Sequence, residues 1–333
     1  MSNQAHNETI VTMKYLDQEI INVIKYFSIF DYAPTLDEVY TFCKKKTSRN
    51  TLKTTLFNLA RQKKLKIIRN RKLNIENDFK YTLGGYSIKQ IKSSKLKIKI
   101  SNKKLKNWRF RLYVKLISFF TQIKLVGLSG SISMMNANED DDIDLFIITA
   151  RNRLFTGRFI SIILSQLLGL RRYRHSGKRP DDARKESILE SLSSWTPQND
   201  KEQYKDKVCL NLFFDERELL IPKFKQTEFV AHEALQMKPI INKDGTYERF
   251  LKKNKWIFKI FPNARLVSSI QYKVSSKKIL NTKYFILNTL NNWLENLLKK
   301  QQMKLINRHR TSEIITGNQL WFHPDDFEKK IKI

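Results

Sequence analysis

The sequence predicts an α+β protein with a small mixed β-sheet in the middle of the chain and helical regions before and after it. Two observations support this expectation. Apolar residues recur at helical spacing near both ends of the chain, as on the buried face of an amphipathic helix. The middle of the chain instead alternates compact β-prone runs with a glycine-containing turn and an apolar helix. We expect divisions at residues 15–88, 89–106, 107–222 and 223–333.

Three helices followed by a β-hairpin are expected in the first region. Apolar residues at helical spacing predict a helix over about 15–30, and Thr35 is placed to cap a second helix from about Leu36 to Cys43. Ser48 is placed to cap a third helix. Two β-prone runs, LKIIRN and FKYTLGG, then predict a hairpin that ends at a pair of glycines.

This order of elements resembles a winged helix-turn-helix domain, in which the third helix enters a nucleic-acid groove and the hairpin lies along the backbone. By that resemblance, Arg49, Asn50, Lys53 and Arg61 on the third helix would contact nucleic acid. Domains of this architecture also serve as packing or protein-interaction units. Both roles stay open for the winged-helix-like region 15–88.

The charge of the chain is strongly positive. It has 63 Lys and Arg residues against 32 Asp and Glu, a formal net charge of +31. Such an excess favours polyanions, above all nucleic acid, without selecting a particular sequence. A drift toward AT-rich codons, which also enriches Lys, Ile and Asn, would produce the same excess with no binding role. The lysine run over 89–106 is expected to be a solvated, basic connecting segment or helix face.

We find no sequence feature of a secreted or membrane protein. The N-terminal residues lack a basic start followed by an apolar run, so no signal peptide is expected. The most apolar stretch, Phe159 to Leu170, is far shorter than the roughly 20 residues that span a bilayer. Cys43 and Cys209 have neither the spacing of a zinc cluster nor that of a disulfide framework. We therefore expect a cytoplasmic protein with no membrane partner.

The centre of the chain carries the residues best suited to chemistry. A β-prone run over 123–128 is followed by SGSISMMNANEDDD and then by the apolar run IDLFIIT. Gly130 lets the backbone approach a ligand closely, and Ser131 supplies a hydroxyl beside free amides that favour an anion such as a triphosphate. Asp142 and Asp144 are two residues apart on a strand, so both carboxylates project from one face and can share hard cations such as Mg²⁺. An acidic surface turn before an ordinary buried strand is the alternative interpretation.

This motif resembles the signature of the DNA polymerase beta superfamily of nucleotidyltransferases, which is Gly-Ser, a spacer, and Asp-hydrophobic-Asp on a strand. The resemblance covers about 125–149, and the layout of the whole chain is similar to that of stand-alone prokaryotic proteins with this domain. It implies a nucleotidyltransferase core over 107–222, with Gly130 and Ser131 on the triphosphate of an NTP. Asp142 and Asp144 would bind Mg²⁺ or Mn²⁺, and the nucleoside monophosphate would pass to a hydroxyl of RNA, a protein or a small molecule.

The superfamily usually supplies a third acid from a neighbouring strand, which acts as a metal ligand or a base. The candidate strand is KVCLNLFF, over 207–214, and its centre carries Asn211. An amide oxygen can coordinate a metal, but an amide cannot act as a general base. Asp206 and Asp215 flank the strand and are possible substitutes. Strict alternation would place Cys209, Asn211 and Phe213 on one face of it.

The absence of an evident third acid keeps a second function open. The chain would then be a non-catalytic, nucleic-acid-binding regulator that uses the winged helix, with a nucleotide-sensing or inactive nucleotidyltransferase fold. A structural module that binds a partner is a third possibility. In the apolar helix that follows the motif, Arg153 and Arg158 either reach phosphates or decorate the surface. His232 and Glu233 lack the second histidine of a zinc-binding helix, so we interpret them as structural.

Overall fold

The computed structural model of the chain describes residues 2–69, 79–85, 88–171, 207–265, 284–309 and 313–322. Within these ranges the protein is α+β, with a central mixed sheet, which confirms the expected fold class in its general form. Asp206 lies outside the described residues. None of the described helices combines the length and the apolar character that a membrane crossing requires.

The described ranges contain α-helices of between 4 and 27 residues: α1 (Ser2–Ser28), α2 (Leu36–Phe42), α3 (Arg49–Arg61), α4 (Ile88–Lys106), α5 (Trp108–Ser118), α6 (Gly130–Ser133), α7 (Leu154–Leu167), α8 (Glu228–Gln236), α9 (Thr246–Lys253), α10 (Trp256–Ile260) and α11 (Tyr284–His309). They also contain eight strands: β1 (Leu65–Arg69), β2 (Phe79–Leu83), β3 (Ile123–Leu128), β4 (Ile143–Thr149), β5 (Val208–Asp215), β6 (Lys238–Asn242), β7 (Ile314–Ile315) and β8 (Gln319–Trp321).

The three N-terminal helices and the hairpin occur where the sequence predicts them, although α1 begins at Ser2 and not near residue 15. Thr35 caps α2 in a reciprocal arrangement, since its hydroxyl accepts from the Glu38 amide and its own amide donates to the Glu38 carboxylate at 2.7 Å. The Ser48 hydroxyl accepts from the Thr51 amide at 3.0 Å. Both caps satisfy amides that have no partner inside the helix.

The lysine-rich segment that follows the hairpin forms helix α4, and one face of it is buried. Ser101 is fully buried and its hydroxyl accepts from the Ala137 amide at 3.1 Å. Lys104 is also buried, with 2% of its surface exposed. The expectation of a solvated segment is therefore wrong for these positions, because α4 packs against the loop that leads into β4.

The central sheet has the strand order β6-β3-β4-β5-β8-β7. The strands β4 and β5 are parallel, and the other neighbouring pairs are antiparallel. The strand β4 has neighbouring strands on both sides and is covered on both faces. Its mainly apolar sequence, IDLFIIT, is therefore expected for a strand that is buried on both faces. The rigid centre of the sheet thus begins directly after Asp142.

The two faces of the sheet pack against different parts of the chain. Leu125 and Phe146 belong to a cluster with α1–α3 and with α8–α10. Val126 and Leu145 belong to a second cluster with α5, α7 and α11. The N-terminal helices therefore cover one face of the sheet and share its apolar core.

Strict alternation along β5 is wrong because the pairing of β5 with β4 skips Asn211. Leu210 and Leu212 face successive residues of β4, so Asn211 is the extra residue of a bulge. Beyond it the faces are exchanged: Phe214 packs toward the N-terminal helices, whereas Phe213 packs toward α5 and α7. Cys209 and Asn211 share a face, as alternation predicts, whereas Phe213 lies on the other face with Val208.

The C-terminal region is not purely helical. Strands β6, β7 and β8 all come from residues after 222 and extend the central sheet at both of its edges. The sequence predicts helical structure for this region, so the expectation is wrong for these three strands. The division at residue 222 stays a prediction, and the sheet takes strands from both sides of it.

Helix α11 packs on α7 through buried polar contacts. The Glu295 carboxylate accepts hydrogen bonds from two amides in the first turn of α7, each at 2.8 Å. Arg153 donates to Asn292, and Arg158 donates to Gln302 at 2.7 Å. Both arginines are thus buried between α7 and α11, so the expectation that they decorate the surface is wrong.

Candidate active site

The turn after β3 is built around Gly130. The Ser129 amide donates to the Asp144 carbonyl at 3.0 Å, which holds the end of β3 beside the start of β4. Gly130 has φ +59°, and a Cβ at this position would lie 2.6 Å from the Asp144 Oδ2 atom. Glycine is required here for both reasons: the backbone conformation is unfavourable for other residues, and the carboxylate occupies the space of a side chain.

The two aspartates predicted to bind a cation lie together. Ligand atoms of Asp142, Asp144 and Cys209 are all within 4.8 Å of one another. Both carboxylates are partly exposed, whereas Cys209 is buried in β5 directly opposite Asp144. Two carboxylates at the mouth of a rigid sheet fit the hard oxygen ligands that Mg²⁺ and Mn²⁺ prefer. Cys209 was not predicted as a site residue. The sequence indicated that it shares a face with Asn211, but it did not indicate that Cys209 would lie opposite Asp144.

Asn211 lies at the position where the third acid was sought. Its Nδ2 atom donates to the Asp144 Oδ1 atom at 3.0 Å, and its Oδ1 atom accepts from the Cys209 thiol. The Asn211 carbonyl accepts from the Phe322 amide at 2.9 Å, which ties the bulge to the chain after β8. The side-chain amide therefore orients Asp144, and it cannot take a proton from a hydroxyl.

Asp215 does not replace the third acid. It pairs with Thr149 at the other end of β5, whereas Asp144 pairs with Cys209, six residues earlier and roughly 20 Å away at the usual rise of a strand. The Asp215 side chain is fully buried and accepts from the Arg217 guanidinium at 3.0 Å. Asp215 therefore has a structural role at the other end of β5.

Asp141 holds the loop between α6 and β4 in place through hydrogen bonds within the loop. The Asp141 Oδ2 atom accepts from the Ser131 hydroxyl and from the Asn138 amide, each at 2.9 Å. The Ser131 hydroxyl, which was predicted to hold a triphosphate, is thus directed at Asp141 in this structure. A phosphate would have to compete with Asp141 for it.

A buried ammonium group on α4 also supports this loop. Lys104 of α4 donates to the carbonyl oxygens of Glu139 and Asp141, at 2.7 and 2.6 Å. Burying a charged group is costly unless it is hydrogen-bonded, and these contacts offset that cost. Lys104 thereby fixes the backbone that leads directly into Asp142.

Glu233 approaches the same turn from α8, although we interpreted it from the sequence as structural. Its Oε2 atom accepts a hydrogen bond from the Gly130 amide at 3.3 Å. Burial raises the pKa of the Glu233 carboxyl, and the hydrogen bond from Gly130 opposes that shift. Only the packing of α8 on the sheet brings this acid to Gly130, because no local pattern in the sequence relates the two residues.

The N-terminal region packs against two elements that support the site, the loop after α6 and helix α8. The Asn136 side chain, in the loop after α6, donates to the Phe30 carbonyl at 2.7 Å. His232, next to Glu233, is stacked between Tyr26 and Phe42, with ring centroids 3.9 and 4.2 Å apart. The structural interpretation of His232 agrees with this packing, which sets the position of α8 and hence of Glu233.

The predicted nucleic-acid contacts lie elsewhere on the N-terminal region. Arg49, Asn50, Lys53 and Arg61 are exposed on α3, which packs on α1, α2 and β1. Arg49 also forms an ion pair with Asp37 of α2. The structure thus presents these four residues to solvent but does not bring them to the carboxylates of the candidate active site.

A scan against protein-family models, a search of curated proteins and a search of solved structures returned no significant match to this chain. Its chemistry therefore has to be inferred from the site itself.

Proposed function

We propose that this protein is a metal-dependent nucleotidyltransferase that moves a nucleoside monophosphate from an NTP to a hydroxyl acceptor and releases pyrophosphate. The observation that carries the proposal is the placement of Asp142 and Asp144 beside the Gly130 turn, with Asp144 Oδ2 in the space that a side chain at Gly130 would need. A loop that can take phosphates and a pair of carboxylates that can take cations are thus in direct contact.

The arrangement of the elements supports the same proposal. The Gly-Ser turn joins two antiparallel strands, the Asp-x-Asp pair opens the second of them, and a parallel strand lies next to it. This order is what a nucleotidyltransferase core of the polymerase beta superfamily would require. Three helices and a hairpin in front of it are consistent with a winged-helix-like domain.

In the proposed reaction, the acceptor oxygen forms a bond to the α-phosphorus as the bond to the pyrophosphate oxygen breaks, and the hydroxyl proton passes to water. Asp142 and Asp144 would hold Mg²⁺ or Mn²⁺, which neutralises charge on the phosphates and orients the hydroxyl. Asn211 keeps Asp144 in position, and Lys104 keeps the loop before Asp142 in position. Gly130 and Ser131 would bind the phosphates.

The proposal can be tested by transfer of α-labelled NTPs onto total RNA, onto protein and onto the enzyme itself, each with Mg²⁺ or Mn²⁺. The wild type is compared with Asp142→Ala/Asp144→Ala and with Asp140→Ala, which removes an exposed acid of the same run. We expect label transfer in the wild type and in Asp140→Ala, and none in the double variant. Transfer that survives in the double variant, or is absent from the wild type with all acceptors, would contradict the proposal.

A non-catalytic regulator is the second candidate, and the amide at Asn211 together with the exposed basic residues of α3 favours it. Such a protein would bind DNA or RNA with a steep salt dependence that Asp142→Ala/Asp144→Ala leaves unchanged. Replacing Lys53 and Arg61 by alanine would weaken that binding at every sequence. Nucleic-acid binding of this kind, without nucleotide transfer, would favour the regulator.

A further inference from the structure

We propose that Glu233 controls the affinity of this site for phosphate: its carboxylate occupies the anion position at the Gly130 amide and is displaced when the phosphates of an NTP bind. This inference rests on the proposed function, because it concerns the same turn. It assigns a role in substrate binding to a residue that lies 103 positions away from Gly130 in the sequence.

The hydrogen bond shows that the Gly130 amide already donates to a carboxyl oxygen. At φ +59° the backbone of Gly130 turns its amide toward Glu233, which accepts from it at 3.3 Å. This amide is one of the groups that the proposed function assigns to the triphosphate. A carboxylate and a phosphate oxygen cannot accept from it in the same place at the same time.

The charge of Glu233 is not needed for a merely structural contact. A neutral acceptor would satisfy the Gly130 amide equally well, whereas a buried carboxylate carries a desolvation cost. Burial raises the pKa of the Glu233 carboxyl, and the hydrogen bond from Gly130 opposes that shift. With Asp142 and Asp144 close to the same turn, a negative group here opposes phosphate binding until cations arrive.

Helix α8 holds Glu233 firmly in this position. The Thr227 hydroxyl caps the helix at the Val230 amide, and Ala231 and Ala234 are buried against the sheet cluster. The stacked ring of His232 is adjacent in sequence. Displacement by phosphate therefore calls for a change of the Glu233 side-chain rotamer and not for movement of the helix.

The test measures the dissociation constant of each NTP, and of inorganic triphosphate, by equilibrium dialysis in the presence of Mg²⁺. Glu233→Gln keeps an acceptor for the Gly130 amide and removes the charge. Glu228→Gln is the matched control, because it makes the same change of charge on the same helix, where Glu228 pairs with Lys44 at 2.7 Å. We expect about tenfold tighter binding by Glu233→Gln and no change in Glu228→Gln.

Unchanged or weaker binding by Glu233→Gln, while the wild type binds NTP, would overturn this inference and leave the proposed function standing. An equal gain in Glu228→Gln would also overturn it, because the effect would then be one of overall charge. Absence of binding in the wild type and in Glu233→Gln would overturn both.

A second measurement follows the Gly130 amide of the wild-type protein directly. The chain has nine glycines, so selective ¹⁵N-glycine labelling gives a spectrum in which the Gly130 amide can be assigned through its loss in Gly130→Ala. Inorganic triphosphate with Mg²⁺ should shift that amide resonance. A resonance that stays unchanged at saturating NTP would mean that phosphate does not replace Glu233.

Discussion

The Asn211 side chain donates a hydrogen bond to Asp144 across the parallel strands β5 and β4, with 3.0 Å between Nδ2 and Oδ1. Asn211 shares a face of β5 with Cys209, which lies opposite Asp144, and the bulge leaves Asn211 without a pairing partner on β4. A neutral donor at this point orients Asp144 without adding charge. An acid at position 211 would instead add a further ligand for a cation and would repel the Asp144 carboxylate.

Replacing Asn211 by Asp should therefore make the protein more dependent on divalent cations. Without metal we expect a loss of about 2 kcal/mol in the free energy of unfolding, because a hydrogen bond to a carboxylate is replaced by repulsion between two carboxylates. With Mg²⁺ or Mn²⁺ the variant should recover more stability than the wild type gains. Denaturant unfolding with and without each cation measures this, and Asn211→Ala, which adds no charge, is the control. An equal response of wild type and Asn211→Asp would contradict the prediction.

Replacing Gly130 by Ala should damage the candidate site beyond the effect of backbone strain. The strain at φ +59° is expected to cost about 1–2 kcal/mol of stability. The added Cβ would also push against Asp144, so we expect loss of cation and nucleotide binding. Gly169→Ala separates the two effects, since Gly169 has φ +64° and, among the described residues, a Cβ there would meet Arg109 Nη1 at an ordinary contact distance of 3.5 Å. If both variants keep or lose cation binding together, the clash with Asp144 is not the cause.

Replacing Lys104 by Met should weaken cation binding, although Lys104 does not itself touch the cation. The two carbonyl oxygens that Lys104 holds belong to the loop before Asp142, and losses of 10- to 100-fold, roughly, are typical when such a support is removed. Isothermal titration with Mn²⁺ below the unfolding temperature measures the affinity. Lys103→Met, at an exposed position of the same helix, should leave it unchanged. Equal affinities in the wild type and in Lys104→Met would show that Lys104 only packs.

His232 should make the protein less stable as the pH falls below about 6.5. Burial, with a smaller contribution from Lys44, lowers the pKa of His232 to about 3, so only the unfolded chain binds a proton between these values. Around it lie Tyr26, the Lys44–Glu228 ion pair and Glu233. The free energy of unfolding should fall by about 1.4 kcal/mol per pH unit from this group alone.

The variant His232→Phe isolates that contribution. Phenylalanine keeps the stacking between Tyr26 and Phe42 and removes the His232 Nδ1 atom, which is buried and has no hydrogen-bond partner among the described residues. Its stability should exceed that of the wild type by about 2 kcal/mol more at pH 5 than at pH 7. Denaturant unfolding at both pH values measures the difference, and a constant difference would contradict the prediction.

The sequence by itself determined the local elements and the two carboxylates. The caps at Thr35 and Ser48, the apolar run of β4 and the Gly130 turn are each encoded within a few neighbouring residues, because helical hydrogen bonds, strand alternation and backbone conformation act over that distance. The spacing of Asp142 and Asp144 likewise predicts that they lie together. Short-range physical chemistry is sufficient for all of these features.

Tertiary structure alone decided what surrounds them. The bulge at Asn211, the register that places Cys209 opposite Asp144, and the approach of Glu233 to Gly130 join residues 65 to 103 positions apart. The strands that the C-terminal region adds to β3 and β5 join residues still farther apart. Such contacts are selected by the packing of the whole core, in which many side chains on both faces of the sheet must be buried at once. No local pattern records that outcome, so the acid and the thiol nearest the predicted carboxylates became visible only in the fold.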